Sequence, residues 1–244
     1  MSCLDFFGVD AAIGYGIPAS PFVQATAGDL YKRLEGLLTH TLVRLGTAPN
    51  MSADLANTWL REQLAPYTGH LIPVDFLTPQ VGSRGLQQML ADGSLRAAWI
   101  NLQVTPGWWC AEEVWNVLEA SRIPILFPYS SLDWQQLDRI LTAWPALPAI
   151  VCDLPRIGNN AVHAAMLRRH PQLYYTFSTL YSVYGGYQAL VREFGATRFV
   201  FGTAYPLSEP GAAVTGLLYA GLTQNELEMI AVGNIQRLLM EVKR

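Results

Sequence analysis

The chain has 244 residues, 51% of them hydrophobic and only 14% charged, and 16 Lys and Arg against 19 Asp and Glu leave a formal net charge of −3. That length suits one large core, such as the roughly 250 residues of an eight-unit α/β barrel, and no run of about 18 uncharged apolar residues marks a membrane span. Without a Lys/Arg cluster the chain lacks the electrostatic term that carries most nucleic-acid affinity, so neither nucleic acid nor membrane is an expected partner.

The opening Met1-Ser2-Cys3-Leu4-Asp5 holds an acid and no basic patch, unlike a secretory signal, and the expected location is the cytoplasm. Short apolar runs bounded by turn residues then recur at 4–13, 41–45, 70–76, 96–102, 123–128, 148–153, 172–178 and 197–202, which makes eight candidate strands. The segments between them have helical spacing, as in Leu55, Trp59, Leu60 and Leu64 or Val114, Val117 and Leu118. Several open with helix-start chemistry: Ser52 as a cap, Glu112 and Glu113 in a first turn, and Thr223 with Glu226 as a capping box. A helix between consecutive strands makes those strands parallel. The fixed Leu and Asn positions of a leucine-rich solenoid do not recur. An open doubly wound sheet is the rival, but eight evenly spaced units with no linker favour closure into a (β/α)8 barrel, one TIM-barrel domain over residues 1–244. Cys3, Cys110 and Cys152, with no C-x-x-C spacing, read as free thiols.

In such a barrel the chemistry gathers at the carboxyl ends of the strands. The residues expected there are Asp10 and Ala12 on the first strand, Asp75 after the third, Asn101 and Gln103 at the fourth, and Tyr129 after the fifth. Asp153 ends the sixth, Ser178 the seventh, and Thr203, Ala204 and Tyr205 follow the eighth. Asp10 reads either as a general base, its pKa raised by apolar walls, or as a buried acid hydrogen-bonded to Asn101 or a backbone amide. Asp153 reads either as a partner sharing a proton with Asp10 or as an acid serving its own loop, and Asp75 as a turn aspartate. Trp108, Trp109, Tyr129, Ser178 and Tyr205 are candidate substrate-binding residues, with Tyr181, Tyr184 and Tyr187 nearby, unless the aromatics belong to a subunit interface. The glycine-flanked, apolar stretch 14–22 reads as a lid or as an ordinary surface crossing.

Two stretches near the end carry a resemblance. Arg198-Phe199-Val200-Phe201-Gly202-Thr203-Ala204-Tyr205-Pro206 is similar to an Arg-φ-φ-Phe-Gly-Ser-Asp-Tyr-Pro pattern, where φ is apolar, and Gly233-Asn234-Ile235-Gln236-Arg237-Leu238-Leu239 to a closing Gly-Asn-x-x-Arg-Leu-Leu. Gly8-Val9-Asp10-Ala11-Ala12-Ile13-Gly14 stands where an Asp-x-His-x-His-x-Gly strand would be. In these features the sequence resembles the amidohydrolase-related proteins, metal-dependent hydrolases and decarboxylases on a (β/α)8 barrel. The resemblance implies that the family's two first-strand histidines fall on Asp10 and Ala12, its sixth-strand histidine on Asp153 and its eighth-strand aspartate on Ala204. His40, before the second strand, His70, opening the third, and His163 and His170, after the sixth, are all expected away from the mouth.

The leading expectation is therefore an amidohydrolase-like barrel with a vacant or altered metal site that binds a small-molecule ligand without catalysis. A second is an active hydrolase, lactonase or decarboxylase working without zinc, with Asp10 as base and Asp153 or Asn101 orienting substrate or water. A third is an interaction protein that uses an aromatic mouth. No cofactor is expected, the one exception being a hard divalent cation on Asp10, Asp75 and Asp153, since zinc prefers imidazole and thiolate. A homodimer is the default assembly.

Overall fold

The computed structural model describes residues 5–13, 25–154, 160–178 and 185–244. The expected lid at 14–22, Cys3, Tyr181 and Tyr184 lie outside the described residues. Nine short strands appear among those described: β1 (Phe7–Ile13), β2 (His40–Leu45), β3 (Leu71–Pro73), β4 (Asp75–Phe76), β5 (Ala98–Trp99), β6 (Ile125–Pro128), β7 (Ala149–Cys152), β8 (Leu173–Phe177) and β9 (Phe199–Phe201). Every pairing is parallel, in two runs, β1-β2-β3 and β4 through β9 in order.

The eight expected strands are all present as positions in this order, and the third is broken in two. Pro73 has no N–H to continue a ladder. Val74 N–H still reaches back to Val43 O at 2.9 Å, but Asp75 N–H turns to Ala97 O at 3.1 Å, so the position pairs with β2 through its first half and with β5 through its second. Strand β5 is shorter than the expected 96–102 because the chain leaves the ladder at Asn101, whose Oδ1 accepts the N–H groups of Gln103 and Val104, both at 3.0 Å. His40 opens β2 instead of preceding it. The first and last positions meet where Ala12 N–H donates to Tyr205 O at 2.9 Å and where the rings of Phe6 and Phe201 stand edge-on, 5.1 Å between centroids.

Helices follow the strand positions: α1 (Ala27–Leu34), α2 (Ala53–Leu64), α3 (Gly82–Ala91), α4 (Glu112–Ser121), α5 (Trp134–Ala143), α6 (Asn160–Arg169), α7 (Gly186–Phe194) and α8 (Pro210–Leu218). The chain ends through α9 (Gln224–Glu228), a π-helical turn at Met229–Gly233, and α10 (Asn234–Met240). The caps expected at Ser52 and at Thr223 with Glu226 form, and α1 has a further capping box from Thr26 and Asp29. Every residue of β6, β7, β8 and β9 is buried, as parallel strands covered on both faces must be.

The two closing motifs serve the scaffold. The Arg198 guanidinium donates to the carbonyls of Leu167, His170 and Leu173, and Asn234 Nδ2 donates to Ala196 O at 2.9 Å and Phe199 O at 2.7 Å, tying the last helix to the last strand. A similar clamp holds the broken third position: buried Asn57 on α2 accepts Phe76 N–H at 2.8 Å and donates to Phe76 O at 3.0 Å. Replacing Asn57 with Ala leaves two buried backbone groups without partners, so Asn57→Ala should lower the unfolding free energy by about 2–4 kcal/mol. Urea denaturation measures this, and a loss below about 0.5 kcal/mol would show that Phe76 does not depend on the clamp.

Candidate functional site

Strands β2 and β7 occupy the second and sixth of the eight positions, which are opposite one another in the ring. A direct contact between residues at their carboxyl ends therefore crosses the barrel's interior. Arg44, next to last in β2, makes such a contact: its Nη2 donates to Oδ2 of Asp153, the residue just beyond β7, at 2.7 Å, and both side chains are nearly inaccessible. The guanidinium also lies over the ring of Trp99 on β5, 5.4 Å from its centroid, in cation–π geometry. Asp153 has φ of 59° and Ala204 of 51°, left-handed backbone that is costly for residues with a Cβ and tends to gather at functional sites.

The left-handed turn at Ala204 lets two consecutive N–H groups converge. Those of Thr203 and Ala204 both donate to Asp10 Oδ1, at 2.6 and 2.7 Å, so the carboxylate of the first strand is seated in a backbone nest beyond the last. Burial and then the charge of Asp153 raise the Asp10 pKa from 3.8 to about 7, against the pull of the two N–H groups and Arg44. Burial likewise raises the Asp153 carboxyl, opposed by Arg44. Burial works against the charge on Arg44, yet Asp153, Cys152 and Asp10 together hold its pKa above the ordinary value.

Several polar atoms around this cluster are left over. Asp10 Oδ2, Asp153 Oδ1, Arg44 Nε, Trp99 Nε1, Thr176 Oγ1 and Ser178 Oγ are buried with no hydrogen-bond partner among the described residues. Buried polar atoms seldom go unpaired, and although others such as Asp75 Oδ1 and Gln172 Oε1 lie elsewhere in the barrel, the group around Asp10 marks a place where water or a ligand completes them.

The expected site residues divide. Asp10, Asp153 and Ser178 stand at the mouth; Asn101 does not bond to Asp10 but spends its carbonyl on its own loop. Trp108 is buried against Trp115 of α4, whose Nε1 donates to its carbonyl, and so belongs to the helical layer. Trp109 is 84% exposed and lines an outer groove of about 530 Å³ with Gln135, Gln136, Arg139 and Trp144. Both indoles are carried away from the mouth by the loop after β5, which brings Trp108 onto α4 and Trp109 to the outer groove. Tyr129 packs towards Trp134 and His163, Tyr187 lies on α7 and stacks on Phe177, and the phenol of Tyr205 sits near Asp29 and Glu209. Among the histidines, His40 stacks on Phe7, His70 meets Thr39 O, His170 meets Asp138, and His163 packs against Tyr129, Trp134 and Tyr175.

Asp75 does not join Asp10 and Asp153. It is fully buried and turned outward to Arg61 on α2, at 2.6 Å. Burial, opposed by Arg61, raises its pKa from 3.8 to about 7. Between those values the folded protein holds this proton more tightly than the unfolded chain, so the group favours folding at low pH and that advantage is lost as pH rises through the window. Asp75→Asn should remove a decline of at most about 4 kcal/mol in unfolding free energy between roughly pH 4 and 7. Urea melts at the two pH values measure it; equal pH slopes in wild type and variant would contradict the shift.

Arg44 was not among the expected site residues. Its signal was one charge inside the apolar run 41–45, since a cation buried in a strand needs a carboxylate across from it. Gly202 is the other hidden participant. A Cβ there would stand 2.7 Å from Asp10 Cγ and 3.0 Å from Thr176 Cβ, so only glycine lets Asp10 reach its nest. Gly202→Ala should destabilise the protein by about 1–3 kcal/mol and displace Asp10. Thermal unfolding and a crystal structure of the variant would test this, and an unmoved Asp10 would refute it.

The chain belongs to the amidohydrolase family, whose model matches residues 47–240. The match begins after β2 and so leaves out Asp10, Ala12 and Arg44. No curated protein matches the sequence. Among solved structures, the 5-carboxyvanillate decarboxylase of Sphingomonas paucimobilis superposes with a TM-score of 0.76 at 13% identity, over 98% of this chain and 100% of that one. A 2,6-dihydroxybenzoate decarboxylase from Rhizobium gives 0.73 at 13%, over 97% and 98%. The 5-carboxyvanillate decarboxylase of Novosphingobium aromaticivorans, complexed with manganese, gives 0.76 at 12%, over 98% and 96%. At these identities the likeness is one of fold.

A metal like the manganese of that last structure does not fit the donors present here. Asp10 and Asp153 keep one free oxygen each, their others being held by two N–H groups and by a guanidinium, and Ala12 and Ala204 offer no side-chain donor, so these two oxygens are too few to hold the ion. No group of three His, Cys, Asp or Glu able to hold a metal occurs among the described residues, the set of Asp10, Asp75 and Asp153 included. No helix there is long and apolar enough to cross a membrane.

Proposed function

We propose that this amidohydrolase binds a small polar molecule in its barrel mouth, among Asp10, Arg44, Asp153, Trp99 and the hydroxyls of Thr176 and Ser178, without a histidine-held metal. The observation that carries this reading is the gathering of unpartnered buried polar atoms at the carboxyl ends of the strands. Left bare, such atoms cost stability, and a ligand that meets them recovers it. The Trp99 indole N–H adds a further donor to the set. With Asp10, Ala12, Asp153 and Ala204 at the positions where the resemblance puts metal ligands, the protein is read as a binding homologue that has given up metal-assisted hydrolysis.

A second reading is favoured by the burial of the Asp10 carboxyl close to the charge of Asp153, which raises its pKa to about 7. A carboxyl that exchanges its proton near neutrality, with one oxygen held and the other free, is equipped for general acid–base work on a bound substrate.

A neighbour of the same fold, a 2,6-dihydroxybenzoate decarboxylase, is complexed with 2,6-dihydroxybenzoate, so planar hydroxyacids and phenols form the first panel. Calorimetry in the presence of EDTA should find a binder, and Asp10→Asn and Ser178→Ala should each weaken it about ten-fold, or ~1.4 kcal/mol. A binder held equally tightly by both variants would place the ligand elsewhere. Turnover of the same compound, abolished by Asp10→Asn and rising to a plateau above about pH 7 as Asp10 becomes a base, would decide for the second reading.

A further inference from the structure

A guanidinium at the centre of an apolar ring is costly unless matched, and Arg44 is matched in part. It meets Asp153 through Nη2, while its Nε–H, also buried, has no acceptor among the described residues. Arginine frequently meets a carboxylate through two parallel N–H···O bonds. Here the contact leaves a donor unspent on Arg44, an acceptor unspent on Asp153 and another on Asp10. The three groups come from the first, second and sixth strand positions, and the guanidinium bonds one mouth carboxylate and acts through its charge on the other. The face of Trp99 supports its charge from a third side.

We infer that Arg44 is the resident cation of the barrel mouth: it fills the electrostatic place of a divalent ion and keeps such ions out. The inference rests on the reading of the mouth as a metal-free site and deepens it. Two carboxylates facing one interior would by themselves attract a hard dication. With Arg44 bonded to one of them, an arriving dication meets a like charge in a low-dielectric interior, where repulsion is strong, and the Asp153 oxygen that the guanidinium holds is not free to chelate it. The guanidinium stays charged at every accessible pH, so the exclusion does not lapse on titration, as it would with a lysine or histidine in its place. The left-handed backbone at Asp153 and the nest at Asp10 hold both carboxylates in place around it.

The test is a titration of the intact protein with manganese and zinc chlorides, followed by calorimetry, with elemental analysis after dialysis. Wild type should take up neither ion in a saturable way, and Arg44→Met, which leaves Asp10 and Asp153 without their internal cation, should gain at least roughly ten-fold in manganese affinity. Should Arg44→Met fail to fold, Arg44→Gln carries the same expectation, since it keeps hydrogen bonding towards Asp153 and removes the charge. One equivalent of either metal held by wild type and lost on Asp153→Asn would overturn the inference, as would a charge-removing variant no better at binding manganese than wild type. The titration uses no organic ligand, so its failure is distinct from failure of the panel to find a binder that depends on Asp10 and Ser178.

Discussion

Two carboxylates and one guanidinium enclosed by eight strands are the constraint to which the rest of the mouth answers. In that interior each charge is expensive alone and tolerable in company. Arg44 reaches across the ring to Asp153, and Asp10 draws on two backbone N–H groups because one guanidinium does not compensate two acids. The left-handed turn at Ala204, the glycine at 202 and the meeting of first and last strands follow from seating Asp10. The same carboxylate that equips the mouth also helps close the barrel.

Scaffold and chemistry are separately encoded. Arg198 and Asn234, the most recognisable residues near the end of the chain, spend their donors on buried carbonyls of neighbouring elements. They preserve the fold whatever the mouth contains. This explains how the family match covers residues 47–240 while the first two strands, which bring Asp10 and Arg44, lie outside it. Such clamps stabilise the barrel independently of the mouth, even though the seating of Asp10 adds its own tie between the first and last strands.

The order and direction of the strands were legible because each apolar run and each capped helix is a local signal that tertiary packing reinforces. The break at Val74 was not read from the sequence, where 70–76 stood as one strand through Pro73. Neither was side-chain direction at the loop after β5. Trp108 and Trp109 follow a strand that ends at the mouth, and nothing local says that one indole turns under α4 and the other to solvent. Asp75 was misplaced for the same reason: its partner, Arg61, lies on a helix whose rotation about its axis is set by packing.

By itself the sequence determined eight parallel strand positions, the helices between them and the presence of Asp10 on the first strand and Asp153 at the end of the sixth, since periodicity and capping act over a few residues. Only the tertiary structure decided that Arg44 faces Asp153, that Asp10 rests on Thr203 and Ala204, and that Asp75 turns away. These pairings join residues 109 and 193 positions apart, and the ring geometry that makes them neighbours exists only once the barrel has closed.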